Sequence, residues 1–211
     1  MIPGTCQMPR YLLCVDLEAT CDSSPGFESL MEAIEIGAVM LDLDQGKPVA
    51  EFNSFIRPTL RPRLTAFCTE LTTISQQDVD SAPRYAEVLA SLDSFLQPFG
   101  EDWSWCSWGN YDRNQLTLDS ERHGLPALLD PLRHSNLKKT FAKQRREKMI
   151  GLRQATQRLG LEWVGTHHRG IDDARNLAAV ALQILDRSGK CNADTCSICN
   201  EPPAPEASNL V

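Results

Sequence analysis

The chain has 211 residues, 42% of them hydrophobic, with 21 Lys and Arg against 28 Asp and Glu and a formal charge of −7. That length suits one good core with a tail, and no apolar run reaches the roughly 18 residues of a membrane span. The acidic balance argues against a generic nucleic-acid coat. No charged segment followed by an apolar core, as in a secretory signal, stands at the N-terminus, so a cytoplasmic protein is expected. The 8 cysteines are scattered, with Cys14 and Cys106 inside apolar runs, which fits reduced and buried thiols.

Tyr11 to Val15 is a mostly apolar run that leads straight into Asp16, Leu17 and Glu18. It reads as a strand buried on both faces. Residues two apart in a strand point the same way, so Asp16 and Glu18 share a face. A polar turn follows, then a second strand over 35–41, a turn over 44–47 and a third strand over 49–57. The connections are too short for helical crossovers, so the three strands form an antiparallel meander, which Pro58 and Pro62 end. The segment 67–74 has a mixed pattern. A helix over 84–97 carries Tyr85, Val88, Leu89, Leu92, Phe95 and Leu96 on one face, with Pro83 before it.

Trp103 to Trp108 alternates aromatic and small residues, which suggests a fourth strand with its tryptophans packed rather than touching a ligand. Helices are expected over 113–123, closed by Gly124, and over 137–146, 152–159 and 172–185. The last has Ala174, Leu177, Ala178, Ala181, Leu182 and Leu185 as its buried stripe. Strands first, then strand and helices in alternation, describe an α/β domain with a mixed sheet. The domain is expected to cover residues 8–188, and the polar stretch 189–211, with its prolines and cysteines, reads as a tail. In that tail Cys191, Cys196 and Cys199, with Cys6, are either zinc ligands or free thiols.

Charge is unevenly placed. Between Arg133 and Arg158 there are nine basic residues and one acid, Glu147, so this segment is +8 and the remainder −15. It is either a solvated helix face or a surface for a polyanion. Carboxylates stand at element ends in three separated places: Asp16 with Glu18, Asp112, and Asp172 with Asp173, the last preceded by His167 and His168. Two carboxylates about 4 Å apart repel by roughly 4 kcal/mol at an effective dielectric near 20. A hard divalent cation such as Mg²⁺ or Mn²⁺ removes that repulsion. The plainer alternative is a strand that ends in polar residues at a turn, and a helix whose first-turn acids answer its dipole.

The whole combination resembles the DEDDh family of 3′→5′ exonucleases. Within that family it is most similar to the exoribonucleases that include the histone-mRNA 3′ exonuclease and its bacterial relatives. The resemblance spans roughly residues 11–185. It is carried by Val15 to Thr20, Phe67 to Thr72, Trp108 to Asp112, and His168 to Leu177. It implies an RNase H-like mixed sheet flanked by helices and two Mg²⁺, with Mn²⁺ also serving. The metal ligands would be Asp16, Glu18, Asp112 and Asp173, and His168 the general base. His167 and Asp172 are each displaced by one from the His-x4-Asp register. The implied substrate contacts are Ala19, Thr20, Phe67, Leu71 and Tyr111, with Lys138 and Lys139 tracking the phosphates. Asn110 departs from the branch's pattern, which often has Asp there. The implied reaction is release of nucleoside 5′-monophosphates from single-stranded or overhanging RNA 3′ ends. A DNA-directed exonuclease or a non-catalytic RNA-binding module are the alternatives.

Overall fold

In the structure, a computed structural model, residues 9–185 are described. Five strands form one sheet in the order β3-β2-β1-β4-β5. Strand β1 (Tyr11–Ala19) pairs antiparallel with β2 (Ala33–Asp42), which pairs antiparallel with β3 (Lys47–Phe55). On the other side β1 runs parallel to β4 (Trp103–Ser107), and β4 runs parallel to β5 (His134–Asn136). The meander is as expected. The three-residue β5 was not, because its sequence has neither an apolar run nor an alternation to signal it.

The helices are α1 (Ala66–Thr72), α2 (Gln76–Asp80), α3 (Tyr85–Leu96), α4 (Tyr111–Arg122), α5 (Leu137–Arg145), α6 (Leu152–Arg158) and α7 (Gly170–Ile184). Helix α2 is a single short turn held by a capping box between Ser75 and Asp78. Helix α4 starts two residues before the expected 113, and α7 two before 172. None of the described helices is long and apolar enough to cross a membrane.

The alternation along β1 decides everything downstream. Leu13, Val15 and Leu17 face one way, onto Tyr85, Val88, Leu92 and Leu96 of α3 and Leu116 of α4. Leu12 and Cys14 face the other way, onto Leu137 and Phe141 of α5, Ala155 of α6 and the stripe Ala174, Leu177, Ala178 and Ala181 of α7. Burial of a large apolar side chain contributes about 2 kcal/mol, so the two layers hold the sheet firmly between them. Trp105 is fully buried in the first layer, with its indole N–H donating to the Asp130 carbonyl at 2.8 Å. Cys14, Cys21, Cys68 and Cys106 are free thiols. Cys6, Cys191, Cys196 and Cys199 lie outside the described residues.

Candidate active site

Asp16 and Glu18 continue the Leu12–Cys14 row, so their carboxylates point toward the layer that contains α7. Opposite Asp16 in the register is Gly37 of β2. A methyl group at Gly37 would lie 2.1 Å from the backbone carbon of Gly170, so only glycine lets the start of α7 rest directly on the sheet. This contact brings Asp173, in the first turn of α7, to the end of β1. One oxygen or nitrogen from each of Asp16, Glu18 and Asp173 lies within 4.8 Å of the others, and the same holds for His167, His168 and Asp173.

Asp112 arrives from the neighbouring parallel strand. It is the second residue of α4, just beyond β4, and its carboxylate accepts from the backbone N–H of Leu17 at 3.1 Å. It joins neither three-residue cluster, but after burial its charge is the strongest influence on Asp16. The Ser107 hydroxyl also bonds to Asp112 and lies 2.8 Å from Nε2 of the buried His134.

The electrostatics are those of a site short of positive charge. Asp16 is held well above the usual carboxylate range by burial, then by Asp112, Asp173 and Glu18. Burial and the charge of Asp173 push Glu18 up to about 9. Asp173 rises to about 7 through burial, against the His168 N–H that donates to its Oδ2 at 3.0 Å. Burial raises Asp112 to about 6, opposed by the Leu17 N–H. The other oxygen of Asp173, Oδ1, is buried with no hydrogen-bond partner in the described chain. A hard oxygen-ligand set carrying this much unanswered charge fits divalent cations of the Mg²⁺ or Mn²⁺ kind.

His168 sits on the loop before α7 with φ +61°, a left-handed backbone that is uncommon outside glycine. Burial lowers its pKa, so the ring is neutral near pH 7. His167 packs its ring 3.9 Å from that of His168 and 5.1 Å from Trp163. Asp172 is occupied in holding the loop: it accepts from Thr166 N–H at 2.8 Å and pairs with Arg175 at 3.0 Å.

Around this centre, Phe67, Leu71 and Tyr111 are exposed at 43, 37 and 46%, so the first two are not core residues. They lie one turn apart on α1, whose inner face is Cys68 and Thr72. Helix α1 is tied to the end of β1 by Thr65, whose hydroxyl donates to the Cys21 carbonyl at 2.6 Å. Ala19 and Thr20 are buried, and the Thr20 hydroxyl accepts from Glu32 N–H at 3.0 Å. Lys138 is half-buried and Lys139 exposed at the start of α5. Asn136, the cap of α5, donates to the Asn110 side chain at 2.9 Å. Asn110 thus ties the starts of α4 and α5 together.

Glu35 was missed from sequence. Fully buried beside Glu18 in the register, it takes the Arg169 guanidinium at 3.1 and 3.2 Å and the Gly170 N–H at 3.0 Å. It fixes the entry to α7. A glutamate inside the apolar run of β2 was the available signal.

The family model RNase_T, described as Exonuclease, matches residues 13–181. The chain is 29% identical over 205 residues to the 3′-5′ exonuclease eri1 of Schizosaccharomyces pombe, covering 85% of this chain and 69% of that protein. It is 32% identical over 197 residues to the ERI1 exoribonuclease 2 of Danio rerio, covering 83% of this chain but only 35% of that longer protein. Among solved structures it superposes on the nuclease domain of 3′hExo, a DEDDh family member bound to rAMP. That match has TM-score 0.77 and 25% identity, covering 83% of this chain and 91% of that one. A full-length 3′-exonuclease superposes with TM-score 0.79 and 25% identity, covering 86 and 84%. With the family model running across nearly the whole described fold and the acids of β1, α4 and α7 brought together, this chain belongs to the DEDDh 3′-5′ exonucleases.

Proposed function

We propose that the protein is a metal-dependent exoribonuclease that removes nucleoside 5′-monophosphates, one at a time, from single-stranded or overhanging RNA 3′ ends. The observation that carries this is the meeting of Asp16, Glu18 and Asp173 within 4.8 Å, with Asp112 beside them and one Asp173 oxygen left without a partner. Those four carboxylates would hold two divalent cations. Bound there, the cations supply stabilisation of the negative charge that develops on the phosphoryl group during an in-line displacement.

The chain's own groups do the rest. His168, neutral near pH 7, takes the proton of the attacking water at an imidazole nitrogen. The His168 N–H bond to Asp173 keeps that loop against the carboxylates. Phe67 and Leu71 on one side and Tyr111 on the other hold the terminal base by contact that tolerates any base. Lys138 and Lys139 answer the phosphates upstream. The relatives' printed names, an exonuclease and an exoribonuclease, support the same reading.

The test uses 5′-labelled RNA and DNA oligonucleotides with free or blocked 3′ ends, incubated with Mg²⁺, Mn²⁺ or EDTA. The expected result is a ladder that shortens from the free 3′ end, faster for RNA, and is absent with EDTA or in Asp16→Ala. Trimming that survives chelation overturns the proposal, and faster trimming of DNA reassigns the substrate.

A further inference from the structure

We infer that the loop over residues 57–63 is a second phosphate-contacting surface, one that receives the paired strand of an RNA duplex lying next to the 3′ end; this rests on the exonuclease reading of the cleft. Residues 57–65 contain Arg57, Arg61 and Arg63 and no acid. All three are exposed, and none forms an ion pair among the described residues. Arg84, also exposed, bridges to Arg57 along the backbone and adds a fourth guanidinium. Glu32 and Glu87 hold backbone N–H groups here rather than guanidinium groups, so in a chain of charge −7 four exposed arginines without ion-pair partners among the described residues make a surface that suits an anion. Guanidinium groups pair with phosphate in bidentate fashion.

The loop is built as a rigid base for these side chains. Buried Glu32 accepts from the Thr59 N–H and hydroxyl at 2.9 and 2.8 Å, from Leu60 N–H at 2.6 Å and from Arg61 N–H at 2.9 Å. Gln76 clamps the next turn, accepting from Leu64 N–H at 2.9 Å and donating to the Pro62 carbonyl at 2.8 Å. The loop then runs into α1 and its exposed Phe67.

The sheet sets where the two basic surfaces stand. Phe55 at the end of β3 pairs with Glu35, and Glu35 pairs with Glu18, so the arginine loop leaves the sheet at the carboxylate end. At the opposite edge, Asn136 at the end of β5 pairs with Ser107, so Lys138 and Lys139 also emerge at that end. With four inter-strand spacings of about 4.8 Å, the edges are roughly 19 Å apart, and the carboxylates lie between them. A strand whose 3′ end is held in the middle leaves over one flank only. The other flank is open to a different strand, and duplex RNA is recognised through its phosphates and shape.

Binding is measured by fluorescence anisotropy in EDTA, for wild type and Arg61→Glu/Arg63→Glu. The probes are a single-stranded RNA and a duplex that carries the same sequence as its 3′ overhang, each over a range of salt. The loop's anchoring uses the Arg61 backbone rather than its side chain, and an Arg61→Ala/Arg63→Ala variant guards against misfolding. Expected are tighter binding of the duplex by wild type and a loss of about tenfold on the duplex in the reversed variant. Loss on the single strand is expected to stay below about twofold, and the duplex salt slope to flatten by about 2. The alanine variant is expected to show a smaller loss with the same preference. Equal losses on both probes, or no loss on the duplex, overturn the inference. Binding is read without cleavage, so a wild type that binds but trims neither probe in Mg²⁺ counts against the exonuclease reading alone.

Discussion

Two sets of acids, all buried except the half-buried Asp16, share this fold and are treated in opposite ways. Glu32, Glu35, Asp42 and Asp119 are each saturated: Glu32 by backbone and hydroxyl donors of the arginine loop, Glu35 by Arg169, Asp42 by Arg10, and Asp119 by Arg122 with Gln115 and Ala33 N–H. Asp16 and Glu18 have no side-chain hydrogen bond or ion pair among the described residues, and Asp112 and Asp173 take backbone donors but no cationic side chain. A fold that saturates four buried carboxylates leaves Asp16 and Glu18 without such partners among the described residues and Oδ1 of Asp173 unmet. The first set is architecture. The second is the set proposed to hold cations, since burial of unanswered charge is otherwise strongly unfavourable.

The contrast is tested most severely by Asp16→Asn. Trimming is expected to fall by about 10³-fold or more, while the unfolding temperature of the metal-free protein at pH 8 rises because an acid whose ionisation burial and its neighbours oppose is replaced by a neutral amide. A fall in that temperature would mean Asp16 belongs with the structural set.

Next in size is the pH dependence of the metal-free protein. Glu18, Asp112 and Asp173 have folded values raised to about 9, 6 and 7, above their ordinary carboxylate values. The folded chain therefore binds more protons than the unfolded chain across that window. The stability these groups contribute is complete below about pH 4 and is lost as pH rises toward 9, by an amount on the order of 4 kcal/mol for a shift like that of Asp173. Urea titrations at pH 5 and pH 8 in EDTA check the sign. Mg²⁺ is expected to restore stability at pH 8 and do little at pH 5.

A smaller effect is expected from Glu35→Gln, which leaves Arg169 without its buried partner and lowers stability by about 3 kcal/mol in urea titration. If cleavage fell while stability held, Glu35 would move from the structural set to the functional one. Phe67→Ala has the mildest consequence, a rise in KM of about tenfold with kcat changed less, as loss of one base contact predicts. An unchanged KM would remove Phe67 from the substrate's path.

What the sequence revealed and what it hid follow from the range of the forces involved. Strand parity is a local property, so the shared face of Asp16 and Glu18 could be read directly from their spacing. The stripes of α3 and α7 were equally plain. The pairing of Glu35 with Arg169 joins residues 134 apart in the chain, and no local pattern announces such a contact. The early start of α7 belongs with it, because Gly170 is held by Glu35 and rests on Gly37. Strand β5 and helix α2, of three and five residues, are too short to have a period. Family resemblance supplied what periodicity could not: the convergence of Asp112 and Asp173 on β1.

The seat of α7 on Gly37 also has a consequence in time. Asp16 and Glu18 lie in the first strand of the domain and leave the ribosome before the rest of it, whereas Asp173, in its last helix, emerges only after nearly the whole domain has been synthesised. A growing chain paused before that point holds β1 and its neighbours without Asp173, so under the proposed mechanism a half-made protein lacks one of its four metal-site carboxylates.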